Sequence, residues 1–343
     1  MKGPAQDIAK IAGDARWLAH RHDASADTIH FVHAPRQVHR DATFLIDDQL
    51  PESGKPVIVE RRSAVAAAGN RAPIHFIFHS AYCCSTLLAR AFDVEGLAMG
   101  LKEPVILNDL VGWRHRGGDP KKIAEVMESA LTLLGRPFAP GEAIIVKPSN
   151  VVTALIPAMM AIRPESRVLL LHAPLNVYLS SIARKGMWGR LWVRDLFVKL
   201  SKDGLTQYGF SAEEIIQQTD LQIAAIGWLA QHRLFAAVAQ RHPQRVRTLD
   251  SEALMARPKD VMKALSGLFE LPMDEATLDA IVTGDAFSRH SKDGSAYDSE
   301  ARKAEQRAGA EVHSDEVEKV AVWAETVAAS AGQSLDLPQP LLN

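Results

Sequence analysis

The segment His79-Ser-Ala-Tyr-Cys-Cys-Ser-Thr86 lies between the apolar run Ile74–Phe78 and the apolar helix start Ser85–Phe92. A strand, a tight loop and a helix N-terminus in that order make an anion cradle. Consecutive backbone N–H groups and the helix dipole then converge on phosphate-type oxygens. Laid on the pattern G-x-x-x-x-G-K-[ST], His79 takes the first glycine position and Cys84 the second. Ser85 takes the lysine position and Thr86 the final hydroxyl. The chemistry left to the loop is anion binding, through the amides of Ala81, Tyr82, Cys83, Cys84, Ser85 and Thr86 and the hydroxyls of Ser85 and Thr86. Helix capping is the competing role for those hydroxyls. Without the lysine, no loop cation reaches the outer phosphates of ATP, which argues against ATP chemistry.

Strands and helices alternate from residue 73 onward. Ile74–Phe78, Ala98–Leu101, Ala143–Val146, Arg167–Leu171 and Val246–Leu249 are short apolar runs that read as strands. Lys121–Leu134, Val151–Ile162 (capped by Ser149 or Asn150), Leu175–Arg184, Ala212–Gln240, Pro258–Phe269 and Glu311–Ala329 carry helical patterning. Continuous apolar strands, as opposed to alternating ones, point to a parallel sheet covered on both faces. The expected fold is a three-layer α/β fold of the P-loop NTPase type, over residues 71–343. Residues 1–70 read as a β-rich N-terminal extension. It has a short helix in Asp7–His20 and strands at Thr28–His33, Ala42–Ile46 and Pro56–Val59. Its histidines His20, His22, His30, His33 and His39 lack carboxylate or cysteine companions at ligand spacing, so they read as scattered surface residues and no metal is expected.

A chain of 343 residues with 47% hydrophobic content can bury a sizeable core. The net charge of −2 gives no basic field for nucleic acid. The two cysteines, Cys83 and Cys84, are adjacent, so no disulfide framework is expected and a reducing compartment fits. There is no signal-peptide run at the N-terminus and no stretch of roughly 18 to 20 apolar residues. The expectation is a cytoplasmic protein without a membrane span. A homo-oligomer is compatible with this composition.

Cys84-Ser-Thr-Leu-Leu-Ala-Arg90 resembles the G-S-T-L-L-A-R loop of bacterial sulfotransferases that use 3′-phosphoadenosine 5′-phosphosulfate (PAPS), a family that replaces the loop lysine position by a hydroxyl residue. Gly100-Leu-Lys-Glu-Pro104 is similar to the K-E segment of the glycosaminoglycan-type members, and His172-Ala-Pro-Leu-Asn-Val-Tyr-Leu-Ser-Ser181 to the segment R-x-P-x-x-V-x-x-S. Ile144-Ile-Val-Lys-Pro148 looks like the K-x-P after the middle strand. Val246–Pro258 running on to Leu268-Phe-Glu-Leu-Pro272 resembles the Y-E-D-L…P…F-L-G-L-P ending. The likeness covers residues 73–300.

The resemblance implies a sulfuryl transfer from PAPS, as co-substrate, to a small-molecule or saccharide acceptor bearing a hydroxyl or amine. It implies Glu103 as general base beside Lys102, the loop from His79 and Ser80 to Thr86 on the 5′-phosphosulfate, and His172 and Ser180 on the 3′-phosphate. The chain departs from the pattern in three places. The loop lysine falls on Tyr82, the loop glycine on Cys84 and the 3′-phosphate arginine on His172. Substitute cations must come from Lys102, Lys147, Arg184, Lys185, Arg289 or Lys292. His172 serves only if protonated; a neutral strand-end histidine fits equally. Glu103 also reads as a structural carboxylate paired with Lys102 or Arg114, and Ser180 as a helix serine bonded back to a carbonyl. Trp188 and Trp192 read as an acceptor-pocket wall or as packing. Two other classes stay open. One is a non-catalytic nucleotide- or anion-binding relative. The other is a divergent P-loop kinase, disfavoured because His172 follows Leu171 where a Walker B aspartate belongs.

Overall fold

A computed structural model describes residues 4–50, 55–288 and 299–342. The chain divides into two compact units, the first made of residues 1–78, 86–168 and 269–274, and the second of 79–85, 169–268 and 275–343. The fold is mixed α/β, with a five-stranded parallel sheet flanked by helices and a three-stranded antiparallel sheet near the N-terminus.

In the first unit β1 (Trp17–Asp23), β2 (Thr28–His33) and β3 (Val57–Glu60) form the antiparallel sheet in that order. β4 (Ile74–His79), β5 (Ala98–Lys102) and β6 (Ala143–Lys147) follow, with β4 and β5 each paired in parallel to β6. All three are buried along their length, as their unbroken apolar patterns predict. Gly100 is required in β5, because a Cβ there would sit 2.0 Å from the Ala89 carbonyl oxygen on the helix Ser85–Ala91. β7 (Val168–His172) and β8 (Val246–Asp250) complete a sheet of order β5-β6-β4-β7-β8. The second unit also holds the helices Leu175–Arg184, Gly186–Lys202, Asp220–Arg241 and Ser299–Ser330.

Several expectations near the N-terminus are corrected. The first helix is Pro4–Ala12, and Trp17–His20 belongs to β1 instead. Ala42–Ile46 is not a strand. Its Leu45 backbone instead donates to the Lys102 carbonyl (2.7 Å) and accepts from the Val105 amide (3.1 Å), which ties the segment to the end of β5. His20 and His39 are buried, not surface residues. Burial and the nearby Lys102 charge push His39 down to about 3. Among the described residues, no cluster of three or more histidine, cysteine or acidic side chains could hold a metal. Both cysteines are free, and no described helix is long and apolar enough to cross a membrane. In the second unit, the long helical stretch from Ala212 breaks after Gln217, where Thr219 starts a new helix with a capping box to Gln222. The final helix begins at Ser299, ahead of the expected Glu311.

Arg136 anchors the N-terminal segment in the first unit. Its guanidinium is 3% exposed and donates to the carbonyls of Ala12 (3.0 Å), Asp14 (2.9 Å) and Trp17 (2.6 Å). The Ala12 carbonyl ends the helix Pro4–Ala12, where backbone acceptors lack intrahelical partners, Asp14 lies just past it and Trp17 opens β1. Burial lowers the guanidinium to about 10 and leaves it protonated at neutral pH. Arg136→Ala is therefore expected to cost about 3 kcal/mol or more in denaturant unfolding, since several buried acceptors lose their donor. Arg136→Lys should recover only part of it, because an ammonium cannot reproduce the fork.

Candidate functional site

The first unit brings together three of the residues singled out in the sequence. Lys147 closes β6 with a side chain that is 1% exposed. Its ammonium forms an ion pair with the Glu103 carboxylate, donates to Thr86 Oγ1 at 3.3 Å and stands 5.0 Å from the centre of the Phe44 ring. Glu103 directly follows β5, and its amide donates to the Lys147 carbonyl at 2.7 Å. Its φ of 53° is left-handed. For a residue with a Cβ this costs on the order of 1–2 kcal/mol, and it persists because backbone and side chain are both tied to Lys147. Glu103 is thus ion-paired with Lys147, a partner that the structural reading of this carboxylate did not name. Phe44 was invisible to sequence reasoning, which had it in a strand; no local pattern marks a cation–π partner.

Lys102 is not paired with Glu103. Its ammonium turns to the carbonyls of His39 (2.5 Å) and Arg40 (3.3 Å) at the end of the helix Arg36–Asp41. A cation there satisfies terminal carbonyls and the helix dipole. Burial first, and then the Arg90 charge, lowers Lys102 to about 7.

The loop from His79 to Ser85 belongs to the second unit. Ser80 is fully buried, donates its amide to the Leu171 carbonyl (3.1 Å) and accepts at Oγ from the Ala173 amide (3.2 Å). The Ala81 amide donates to His79 Nδ1 (3.1 Å), so it is already used and the cradle starts at Tyr82. The φ angles of Ala81 (70°), Tyr82 (53°) and Cys84 (61°) are all positive, though none is glycine. Cys84 alone of the three is flanked on both sides by residues without positive φ, and such an alternation turns successive N–H groups to one side, as in a backbone anion nest. Tyr82 is held by the rings of Tyr178 (5.9 Å) and Trp192 (5.5 Å). Burial raises its phenol to about 12 against the pull of the Arg184 charge. It is an O–H donor at neutral pH, and Arg184 is the cation that acts on it.

His172 and Ser180 meet in a cleft of 830 Å³ within the second unit. Burial lowers His172, with Asp250 opposing only in part, so the ring is neutral at pH 7. The His172 ring lies edge-on to His232 at 4.9 Å, and His232 is lowered well below its usual value by burial and by His172. Asp250, Glu318, Glu325 and Asp336 also line the cleft, and among its described lining residues there is no lysine or arginine. Of the two readings of His172, these surroundings favour the neutral strand-end histidine. Arg289 and Lys292 lie outside the described residues. Trp188 is 62% exposed on the helix Gly186–Lys202, whereas Trp192 packs on Tyr82.

No protein-family model matches the chain, and no curated protein matches it in sequence. Among solved structures it is similar to the sulfotransferase domain of the Synechococcus PCC 7002 olefin synthase, at 14% identity over 63% of this chain and 79% of that one, with a TM-score of 0.40. It is also similar to the sulfotransferase domain of the curacin biosynthetic pathway, at 13% identity over 78% of this chain and 100% of that one, with a TM-score of 0.43. A sulfotransferase from Mycobacterium avium matches at 17% identity over 69% of this chain and 63% of that one, with a TM-score of 0.36.

Two outcomes test this geometry. Lys147→Met should lower stability by about 2–4 kcal/mol, because the buried ion pair with Glu103 is lost. The double variant with Glu103→Gln should lose less than the sum of the singles in the same denaturant titration. Cys84→Val should cost about 1–2 kcal/mol through its left-handed backbone, whereas Cys84→Gly should fold at least as stably as the parent.

Proposed function

We propose that the protein transfers a sulfuryl group from PAPS to a hydroxyl or amine of a small acceptor. The observation that carries this reading is the Lys147 ammonium placed between Thr86 and Glu103. The loop's lysine is missing, and Lys147 supplies a buried cation at the hydroxyl that ends the loop. Sulfuryl transfer asks for in-line positioning and for stabilised charge on the leaving phosphate. The resemblance puts the loop amides and the hydroxyls of Ser85 and Thr86 on the 5′-phosphosulfate; within the first unit the reading rests on Thr86, Lys147 and Glu103. Lys147 balances the growing charge on the leaving phosphate. Glu103 takes the acceptor proton as the acceptor oxygen or nitrogen attacks sulfur. Applying the phosphoryl-transfer template to sulfur is an analogy of mechanism.

The resemblance assigns the 3′-phosphate to His172 and Ser180. The neutral ring and the carboxylates around it do not favour a dianion, so the reading does not rest on that assignment. Calorimetry with 3′-phosphoadenosine 5′-phosphate, adenosine 5′-monophosphate and ATP tests the donor. The first should bind, and it should bind more tightly than adenosine 5′-monophosphate if the chain reads a 3′-phosphate. Absence of binding by the 3′,5′-bisphosphate removes PAPS as donor, and ATP-only binding with Mg²⁺ points to kinase chemistry. Glu103→Gln should reduce PAPS turnover by roughly 10²–10⁴. Parental rates in that variant would take the proton-transfer role away from Glu103.

A further inference from the structure

The cleft around His172 differs from the loop in the sign of its charge. Glu318 and Glu325 stand two turns apart on one face of the helix Ser299–Ser330 and line it together with Asp250 and Asp336. Val322 and Leu337 add apolar wall beside them. At its base are two imidazoles with unused nitrogens. His232 is 1% exposed, lines the cleft, and its Nδ1 has no hydrogen-bond partner. His172 Nδ1 has none either.

The Nδ1 of His172 is buried without a hydrogen-bond partner, and a neutral imidazole can present a lone pair there. The His232 ring is sandwiched between His172 and the Trp228 ring, which stacks on it at 3.6 Å; Trp228 is itself anchored by its indole N–H on the Ala173 carbonyl (2.9 Å). The hydroxyls of Ser180 and Thr248 are further acceptors in the same lining. A buried nitrogen without a partner is costly unless a ligand or water completes it. Here that nitrogen sits among carboxylates and acceptors, so the fitting partner carries N–H donors and positive charge.

We infer that this cleft binds an organic amine, a cation with several ammonium groups on an apolar chain. The carboxylates of Glu318, Glu325, Asp250 and Asp336 take its charge. The Nδ1 atoms of His172 and His232 accept its N–H groups. Val322 and Leu337 cover its methylenes. The site is independent of the transferase reading, because it requires neither the loop nor a sulfuryl donor.

Spermidine, titrated into the full-length protein without any nucleotide, is the probe. It should bind saturably and more weakly as salt is raised. Glu318→Gln/Glu325→Gln changes two exposed positions, leaves folding intact and should weaken spermidine by roughly fivefold or more. In ¹⁵N-histidine spectra the Nδ1 resonances of His172 and His232 should move on binding, assigned with His172→Gln and His232→Gln. Lack of binding at millimolar spermidine, equal affinity in the double variant, or unmoved histidine resonances would each overturn the inference. So would movement of those resonances by 3′-phosphoadenosine 5′-phosphate in place of spermidine, which makes the cleft an anion site. Because no donor is present in the spermidine experiment, its failure is separate from a failure of PAPS turnover.

Discussion

A lysine ammonium 1% exposed must be neutralised where it sits, and Lys147 meets that demand through Glu103. Much of the first unit's local geometry answers to this one charge. Glu103 accepts a left-handed backbone next to β5 so that its carboxylate and its amide both reach Lys147. The segment around Phe44 folds against the end of β5 instead of forming a strand, and so presents a ring face to the same ammonium. Lys102, the register partner of Lys147 across the ladder, is lowered to about 7 by burial and bonds to helix-end carbonyls. Two lysines in adjacent strands are tolerated because each is given its own acceptors.

The loop solves a related problem with backbone. Glycine is the usual residue where φ is positive; the loop after β4 holds Ala81, Tyr82 and Cys84 there. Such conformations persist when the surroundings over-determine them. Ser80 is bonded on both its amide and its hydroxyl, His79 accepts from the Ala81 amide, and two aromatic rings fix Tyr82. The fixed positive charge that a loop lysine would supply is absent from the loop itself. Within the first unit Lys147 provides a cation at Thr86, and within the second unit Arg184 acts on Tyr82. The cleft around His172 has the opposite polarity and belongs to a different kind of ligand.

The periodic parts of the fold were legible in the sequence. Every strand from β4 to β8 falls on an apolar run of the sequence, and the helix Leu175–Arg184 matches its pattern residue for residue. Apolar periodicity reports burial directly, so these elements needed no tertiary information. The elements missed were short or lacked such a period. The strand β1 contains Trp17, His20, Arg21 and His22, whose polar groups find partners far along the chain: His20 meets Asp47 at 2.6 Å and Arg21 meets Asp109 at 2.6 Å. Nothing local reveals such pairings.

Residue types and spacing alone determined the strand–loop–helix anion cradle and the absence of its lysine; Glu103 and Lys147 drew interest through the family resemblance. Tertiary structure decided what each charge does. It gave Lys102 to carbonyls and Lys147 to Glu103, although both end strands in similar apolar runs. It also made His172 neutral, where the motif position suggested a cation, because desolvation outweighs the pull of Asp250. A sequence states which groups can ionise; burial and neighbours set whether they do, and those are properties of the packed chain.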